Sequence, residues 1–209
     1  MKTEILFDND GVLVDTEHWY FTASAEILSS MGLTLDPLRY REIMIHGQSA
    51  FLIAKEAGFS QREIDAARDR RNLLYQHFLR TEEITIAGVP EVLRQLSETC
   101  SMGIVTSARR EDFELIHSGR GLIDHMRFVL CSGEYPRAKP HPDPYLLGLE
   151  KLGGNRDTAL VVEDSERGLR SAVAAGIDCA IVYNPFTVHH DFTRATHRID
   201  TLEALLELL

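Results

Sequence analysis

Near the start of the chain an apolar run, Ile5-Leu6-Phe7, leads directly into Asp8-Asn9-Asp10-Gly11. Two aspartates at that spacing repel one another and any anionic ligand unless a cation sits among them, so the pair asks for metal-assisted chemistry. A plain Asp-Gly turn or a calcium loop are the simpler alternatives. A calcium loop wants glycine at its sixth position and glutamate at its twelfth; here glycine is fourth and the twelfth position is Trp19. A plain turn leaves unexplained the polar groups that follow three other apolar runs. Ile104-Val105 ends in Thr106-Ser107, Lys139 follows Phe128–Cys131, and Ala159–Val162 ends in Glu163-Asp164. Each signal is weak alone. In this order, each just beyond a buried strand, they describe one site, because ligands of an open parallel sheet bind at the carboxyl ends of its strands.

The elements that must position these residues are legible as a rhythm. Short continuous apolar runs, with Cys179–Tyr183 as a further one, read as fully buried parallel strands. Between them lie amphipathic segments over Pro90–Glu98, Asp143–Leu152 and Ser165–Ala175, the last stopped by Gly176. A leucine-rich tail from Thr201 reads as a short helix. The expected fold is α/β, a Rossmann-like parallel sheet with helices on both faces. The stretch after the first strand differs. Glu17–Met31, Pro37–Ile45, Ser49–Ala57 and Gln61–Arg80 all read as helices, separated by Gly32, Gly47 and Gly58. They predict a helical insertion over residues 16–81, with residues 1–15 and 82–209 forming the α/β core.

Composition bounds the partners. The 209 residues carry 22 basic and 32 acidic side chains, a formal net charge of −10. Such a surface repels nucleic acid, and no apolar run approaches the length of a membrane span. The beginning of the chain is too acidic and too briefly apolar for a secretory signal, so the expected setting is the cytoplasm. Cys100, Cys131 and Cys179 are far apart and read as reduced core thiols. Arg68, Arg70 and Arg71, interleaved with Asp65 and Asp69, read as a solvated helix face. His117 and His125 have no readable role.

The four strand-end motifs together resemble the haloacid dehalogenase-like superfamily. Within it they are similar to the branch with a helical cap inserted after the first motif, which includes phosphoglycolate phosphatase-like and β-phosphoglucomutase-like proteins. The resemblance spans essentially the whole chain, with specific motifs in the core and none in the cap. It implies a magnesium-dependent phosphatase of a small phosphorylated metabolite, acting through an aspartyl-phosphate on Asp8; a monomer is the default expectation. Asp10 would protonate the leaving oxygen and then take a proton from water. The implied magnesium ligands are Asp8, the Asp10 carbonyl and Asp164, with Glu163 in or beside the shell. Lys139 and Thr106 would hold the phosphoryl group, joined by backbone N–H groups at Asn9, Gly11 and Ser107. Asp15 would steady the loop. Glu17, Tyr20 and Gln48 are the cap's candidates for touching substrate.

Within that resemblance Asp10 argues for phosphoryl transfer over carbon–halogen cleavage, which needs no proton donor there. Phosphonate-cleaving relatives use a cap lysine, and Lys55 is the only lysine between Thr16 and Thr81. The sugar phosphomutase alternative calls for a cap histidine where Tyr20 stands and an arginine near Gly47-Gln48-Ser49-Ala50, where there is none. A third reading, from another class, is a catalytically silent phosphometabolite-binding regulator. A cap of this size favours small sugar phosphates, phosphoglycolate-like acids or nucleoside monophosphates over phosphoproteins.

Overall fold

A computed structural model describes residues 2–209. The chain runs β1 (Glu4–Phe7), α1 (Glu17–Ser30), α2 (Pro37–Ile45), α3 (Leu52–Glu56), α4 (Gln61–Thr81), α5 (Val89–Leu96), β2 (Ser101–Val105), α6 (Arg110–His117), β3 (Met126–Leu130), α7 (Asp143–Leu152), β4 (Ala159–Glu163), α8 (Glu166–Ala175), β5 (Asp178–Val182), β6 (His197–Ile199) and a 3-10 turn at Leu202–Glu207. It divides into two compact units. One holds the residues up to Asp15 together with Thr85–Leu209, the other Thr16–Ile84.

The first unit is built on a six-stranded sheet in the order β3-β2-β1-β4-β5-β6. Every neighbouring pair is parallel. Chain direction reverses its progress across the sheet between β1 and β4, the switch point at which parallel sheets open a crevice. Phe7 is aligned with Ile104 on one side and Val162 on the other. The residues that follow all three central strands are therefore delivered to the same edge. Ile5, Leu6, Phe7, Ile104, Val105, Val161 and Val162 are each 0–1% exposed, the reason these runs are apolar throughout rather than alternating. On one face Leu6, Val105 and Val161 pack with Tyr145, Leu149, Leu169 and Ala172 from α7 and α8. Tight seating of α8 depends on Gly168, where an added Cβ would lie 1.7 Å from Oε1 of Glu163.

Two elements of this unit escape the apolar rhythm. Strand β6 is three residues long, His-Arg-Ile, and pairs only with β5 at the sheet edge. Helix α6 begins with Arg110, Glu111 and Asp112, and its buried residues number only four. The tail closes as a 3-10 turn rather than an α-helix.

The second unit packs α1, α2, α3 and α4 around Ile27, Leu28, Tyr40, Phe51, Ala54, Ile64 and Ala67. Its third helix is shorter than the expected Ser49–Ala57, covering Leu52–Glu56. The side chain of Asp36 caps α2 by accepting from Leu38 and Arg39 N–H, and Ser60 with Glu63 forms a capping box on α4. Arg68 and Arg70 lie on the exposed face, bonded to Asp65 and Ser30. Arg71 corrects the solvated-face reading: it is 7% exposed, stacked 4.1 Å from the Tyr20 ring and bonded to Ser24. The i, i+3/i+4 spacing of Ile64, Ala67, Arg71 and Tyr75 turns its stem inward while its neighbours face out.

Because Gly168 leaves no room for a methyl against a buried carboxylate, Gly168→Ala should lower the unfolding free energy by about 2 kcal/mol. A urea titration checks this; an unaltered midpoint would mean that α8 can slide without cost.

Candidate active site

Strand β1 ends one residue before Asp8, whose N–H bonds the carbonyl of Val162 at 2.9 Å and so continues the sheet. The chain then turns tightly: N–H groups of Val12, Leu13 and Val14 all point at the Asn9 carbonyl, and Gly11 N–H bonds Val14 O at 2.7 Å. Gly11 has φ +82°, and an added Cβ would fall 2.1 Å from Oδ2 of Asp164. Glycine is required here twice over, for the left-handed backbone and for the approach of the loop to Asp164. Its N–H is engaged inside the turn rather than held out as part of an anion cradle, which corrects the expectation from sequence.

Lys139 reaches the edge of β1 from the loop after β3. Its ammonium has three protons and three acceptors: Asp8 Oδ1 at 2.9 Å, Val105 O at 2.9 Å and Glu163 Oε1 at 2.7 Å. Lys139 is 2% exposed in its side chain and Glu163 fully buried, while Asp8 keeps 14%. Of the three, only Asp8 is therefore open to a reactant. Burial opposes charge on Lys139, but Asp8 and Glu163 outweigh it and hold the ammonium protonated well above its ordinary range. For Glu163 burial is likewise outweighed, by Lys139, Tyr145 and Ser165, and its pKa lies below the usual carboxylate value. For Asp8 burial and the charge of Glu163 win over Lys139, and its pKa is raised to about 7.

Carboxylate oxygens of Asp8, Glu163 and Asp164 lie within 4.8 Å of one another, a cluster able to hold a metal ion. One ammonium against these carboxylates leaves a deficit of positive charge, and burial together with Glu163 raises Asp8 in spite of Lys139. The all-oxygen donor set, without cysteine or histidine, fits a hard divalent cation. Glu163 spends its oxygens elsewhere. Oε1 takes Lys139 and the Tyr145 hydroxyl at 2.6 Å, and Oε2 takes Asp164 N–H, Ser165 N–H and the Ser165 hydroxyl. It belongs beside a metal shell more than in it. Asp164 Oδ2 accepts from Asn184 Nδ2 at 2.6 Å.

Thr106 is fully buried at the end of β2. Its hydroxyl accepts Ala108 N–H at 3.0 Å and donates to Asp10 Oδ2 at 3.3 Å. Its carbonyl is held by Tyr135. Ser107 follows, half-buried, and Asp15 is exposed. The structure thus gathers Asp8, Asn9, Asp10, Gly11, Thr106, Ser107, Lys139, Glu163 and Asp164 within one unit. Glu17, Tyr20 and Gln48 belong to the other. There Glu17 accepts the Tyr40 hydroxyl at 2.5 Å, Tyr20 packs edge-on to Tyr75, and Gln48 is exposed in the turn after α2.

Sequence reasoning missed Asn184 and His117. Asn184 could have been found as the first polar residue past the fifth apolar run, at the same sheet edge as the others. His117, 5% exposed, bonds Asn9 through Nε2 at 2.7 Å, a contact that no spacing in the sequence announces.

The haloacid dehalogenase-like hydrolase family matches residues 5–182. The chain belongs to this family. Hexitol phosphatase A of Escherichia coli is 32% identical over 184 residues, covering 86% of this chain and 82% of that protein. N-acetylmuramic acid 6-phosphate phosphatase of Pseudomonas aeruginosa is 28% identical over 182 residues, covering 85% and 80%. Among solved structures, CbbY from Rhodobacter sphaeroides in complex with phosphate superposes with a TM-score of 0.82 at 22% identity, covering 98% and 96%. β-Phosphoglucomutase from Clostridium difficile gives 0.79 at 21%, covering 99% and 96%. These likenesses show the shared fold, and curated relatives in the family are named phosphatases. Among the described residues no helix is long and apolar enough to cross a membrane.

Burial, with Arg120 adding to it, lowers the His117 pKa from 6.5 to about 4. Between those values the unfolded imidazole takes a proton that the folded one refuses. The neutral ring therefore stabilises the fold above pH 6.5, and the stabilisation is lost as pH falls toward 4. Between pH 7 and pH 5 this amounts to about 2 kcal/mol. Urea titrations at both values should show His117→Phe less pH-sensitive by that amount; identical sensitivity would mean an imidazole that titrates normally in the fold.

Proposed function

We propose that the protein is a magnesium-dependent phosphatase of a small phosphomonoester, a sugar or sugar-alcohol phosphate, working through an aspartyl-phosphate on Asp8. One observation carries this reading: the partly open Asp8 carboxylate is held by the buried Lys139 beside Asp164, with a second aspartate two residues on. The names of the relatives support the substrate class, and the acidic surface argues against nucleic acid as partner. We further read the protein as a cytoplasmic monomer.

In this mechanism an Asp8 oxygen attacks phosphorus, the bond from phosphorus to the leaving oxygen breaks, and Asp10 gives that oxygen its proton. Water then loses a proton to Asp10 as it attacks phosphorus, and Asp8 departs as a carboxylate. Lys139 fixes the plane of Asp8 by holding Oδ1 and offsets phosphoryl charge. Asp8, the Asp10 carbonyl and Asp164 would hold magnesium, with Asn184 orienting Asp164 and Glu163 anchoring Lys139. When bound, the ion supplies positive charge to the phosphoryl oxygens. The phosphatase reading stands ahead of the mutase because Gln48 and its neighbours provide no arginine for a second phosphate.

Phosphate release from glucose 6-phosphate, fructose 1-phosphate, sorbitol 6-phosphate and p-nitrophenyl phosphate, with and without magnesium, tests the proposal. Release that requires magnesium and vanishes in Asp8→Asn is expected. A folded wild type that releases nothing from the whole panel would remove the phosphatase reading. Asn184→Ala should raise the magnesium concentration for half-maximal activity about 10–100-fold. An unchanged requirement would mean that Asp164 needs no orienting partner.

A further inference from the structure

Asn9 lies between the two aspartates, is 0% exposed, and carries a carboxamide. A buried amide is costly unless both its ends are satisfied, so its two contacts define its purpose. Nδ2 lies 3.3 Å from Asp10 Oδ2, and Oδ1 lies 2.7 Å from Nε2 of His117. Asp10 Oδ2 also accepts the Thr106 hydroxyl, so the amide nitrogen faces Asp10 as a second donor and the amide oxygen faces the ring. His117 must then carry its proton on Nε2. The rest of the ring agrees. Nδ1 is buried without a hydrogen-bond partner, the ring stacks 4.3 Å from Phe113, and the depressed basicity noted above keeps it neutral. The tautomer and the amide orientation follow from one another.

Asp10 Oδ2 thus receives two donors, Asn9 Nδ2 and the Thr106 hydroxyl, each at 3.3 Å. The Thr106 hydroxyl is itself oriented, because its oxygen accepts Ala108 N–H. A proton on Oδ2 would face two donor hydrogens, so a proton carried by Asp10 belongs on Oδ1. We propose that His117, acting through Asn9, is a positioning residue that reserves Asp10 Oδ2 as an acceptor and directs the transferable proton to Oδ1. This rests on the reading of Asp10 as the general acid. A buried polar pair with an unsatisfied ring nitrogen costs stability against two apolar side chains, so the pair is a poor choice for packing alone.

A general acid matters most where the leaving group is a poor one. Breaking the phosphorus–oxygen bond of a sugar phosphate expels an alkoxide unless a proton arrives, whereas p-nitrophenolate leaves unaided. The test is the ratio of kcat/KM for the best sugar phosphate of the panel to that for p-nitrophenyl phosphate. It is measured on the full chain with magnesium for the wild type, His117→Phe, Asn9→Leu and the double variant. His117→Phe keeps the stacked ring and removes its donor. About a tenfold fall in the ratio is expected in each single variant, and it should persist in the double variant even as that apolar pair regains thermal stability. A ratio within twofold of wild type in folded single variants would overturn the positioning role, as would recovery of the ratio together with stability in the double variant. Should His117→Phe fail to fold, Asn9→Leu and the double variant decide the matter. Wild-type turnover of both esters that is lost in Asp8→Asn keeps the phosphatase reading standing whichever way the ratio falls. No wild-type turnover removes that reading and this one with it.

Discussion

A buried ammonium shared by two carboxylates and a strand carbonyl is the constraint from which the sheet unit's polar architecture follows. Lys139 sits where Asp8, Val105 and Glu163 converge, and each partner belongs to a different neighbouring strand or its immediate end. Taking such charges out of water costs several kcal/mol per ion, and their attraction repays that only when the remaining hydrogen bonds are also made. Here they are. Every ammonium proton is used, and Glu163 is bonded by lysine, tyrosine, serine and two backbone N–H groups. The triad thus ties β1, β2 and β4 together at the edge where the sheet opens. It also explains two sequence requirements that look unrelated. Tyr145 must end in a hydroxyl, and Gly168 must lack a side chain, because both abut Glu163.

The same arrangement leaves Asp8 in a different condition from its partners. Glu163 and Lys139 are sealed in and mutually neutralised, whereas Asp8 shares that lysine and retains access to solvent. Its raised pKa follows first from burial and then from the charge of Glu163, which together outweigh its share of the lysine. A site poised in this way is short of positive charge, and any further cation that reaches Asp8 and Asp164 relieves the shortage. Lys139 therefore does two things that pull in opposite directions: it makes the cluster tolerable, and it is one charge too few.

How much of this could be read from the chain depends on how far each residue's role is local. Parallel strands buried on both faces must be apolar throughout, so β1, β2, β4 and β5 stand out, and the polar residue after each announces itself by position. The helices of the second unit are legible from the glycines between them, Gly32, Gly47 and Gly58. Short edge elements are not, because β6 buries little and α6 begins on charges. Arg71 was misread since three arginines in four residues look solvated; only the phase of α4 against Tyr20 distinguishes the one that turns inward. His117 could not be assigned at all. Its meaning lies in a contact to a residue 108 positions away.

That long-range contact also shows why the loop between the aspartates is not a free choice. The residue between them is fully enclosed, so an apolar side chain there would satisfy the core and take a donor away from Asp10. Choosing asparagine gives the carboxylate a second donor but creates an amide oxygen that must be met from within the protein, and α6 meets it with a ring that stays neutral. A charged partner would not serve: an imidazolium in this place would be a buried cation opposed by Arg120. Neutrality of His117 and orientation of Asn9 are therefore one requirement, and it is imposed by the need to hold Asp10 without altering the charge around Asp8.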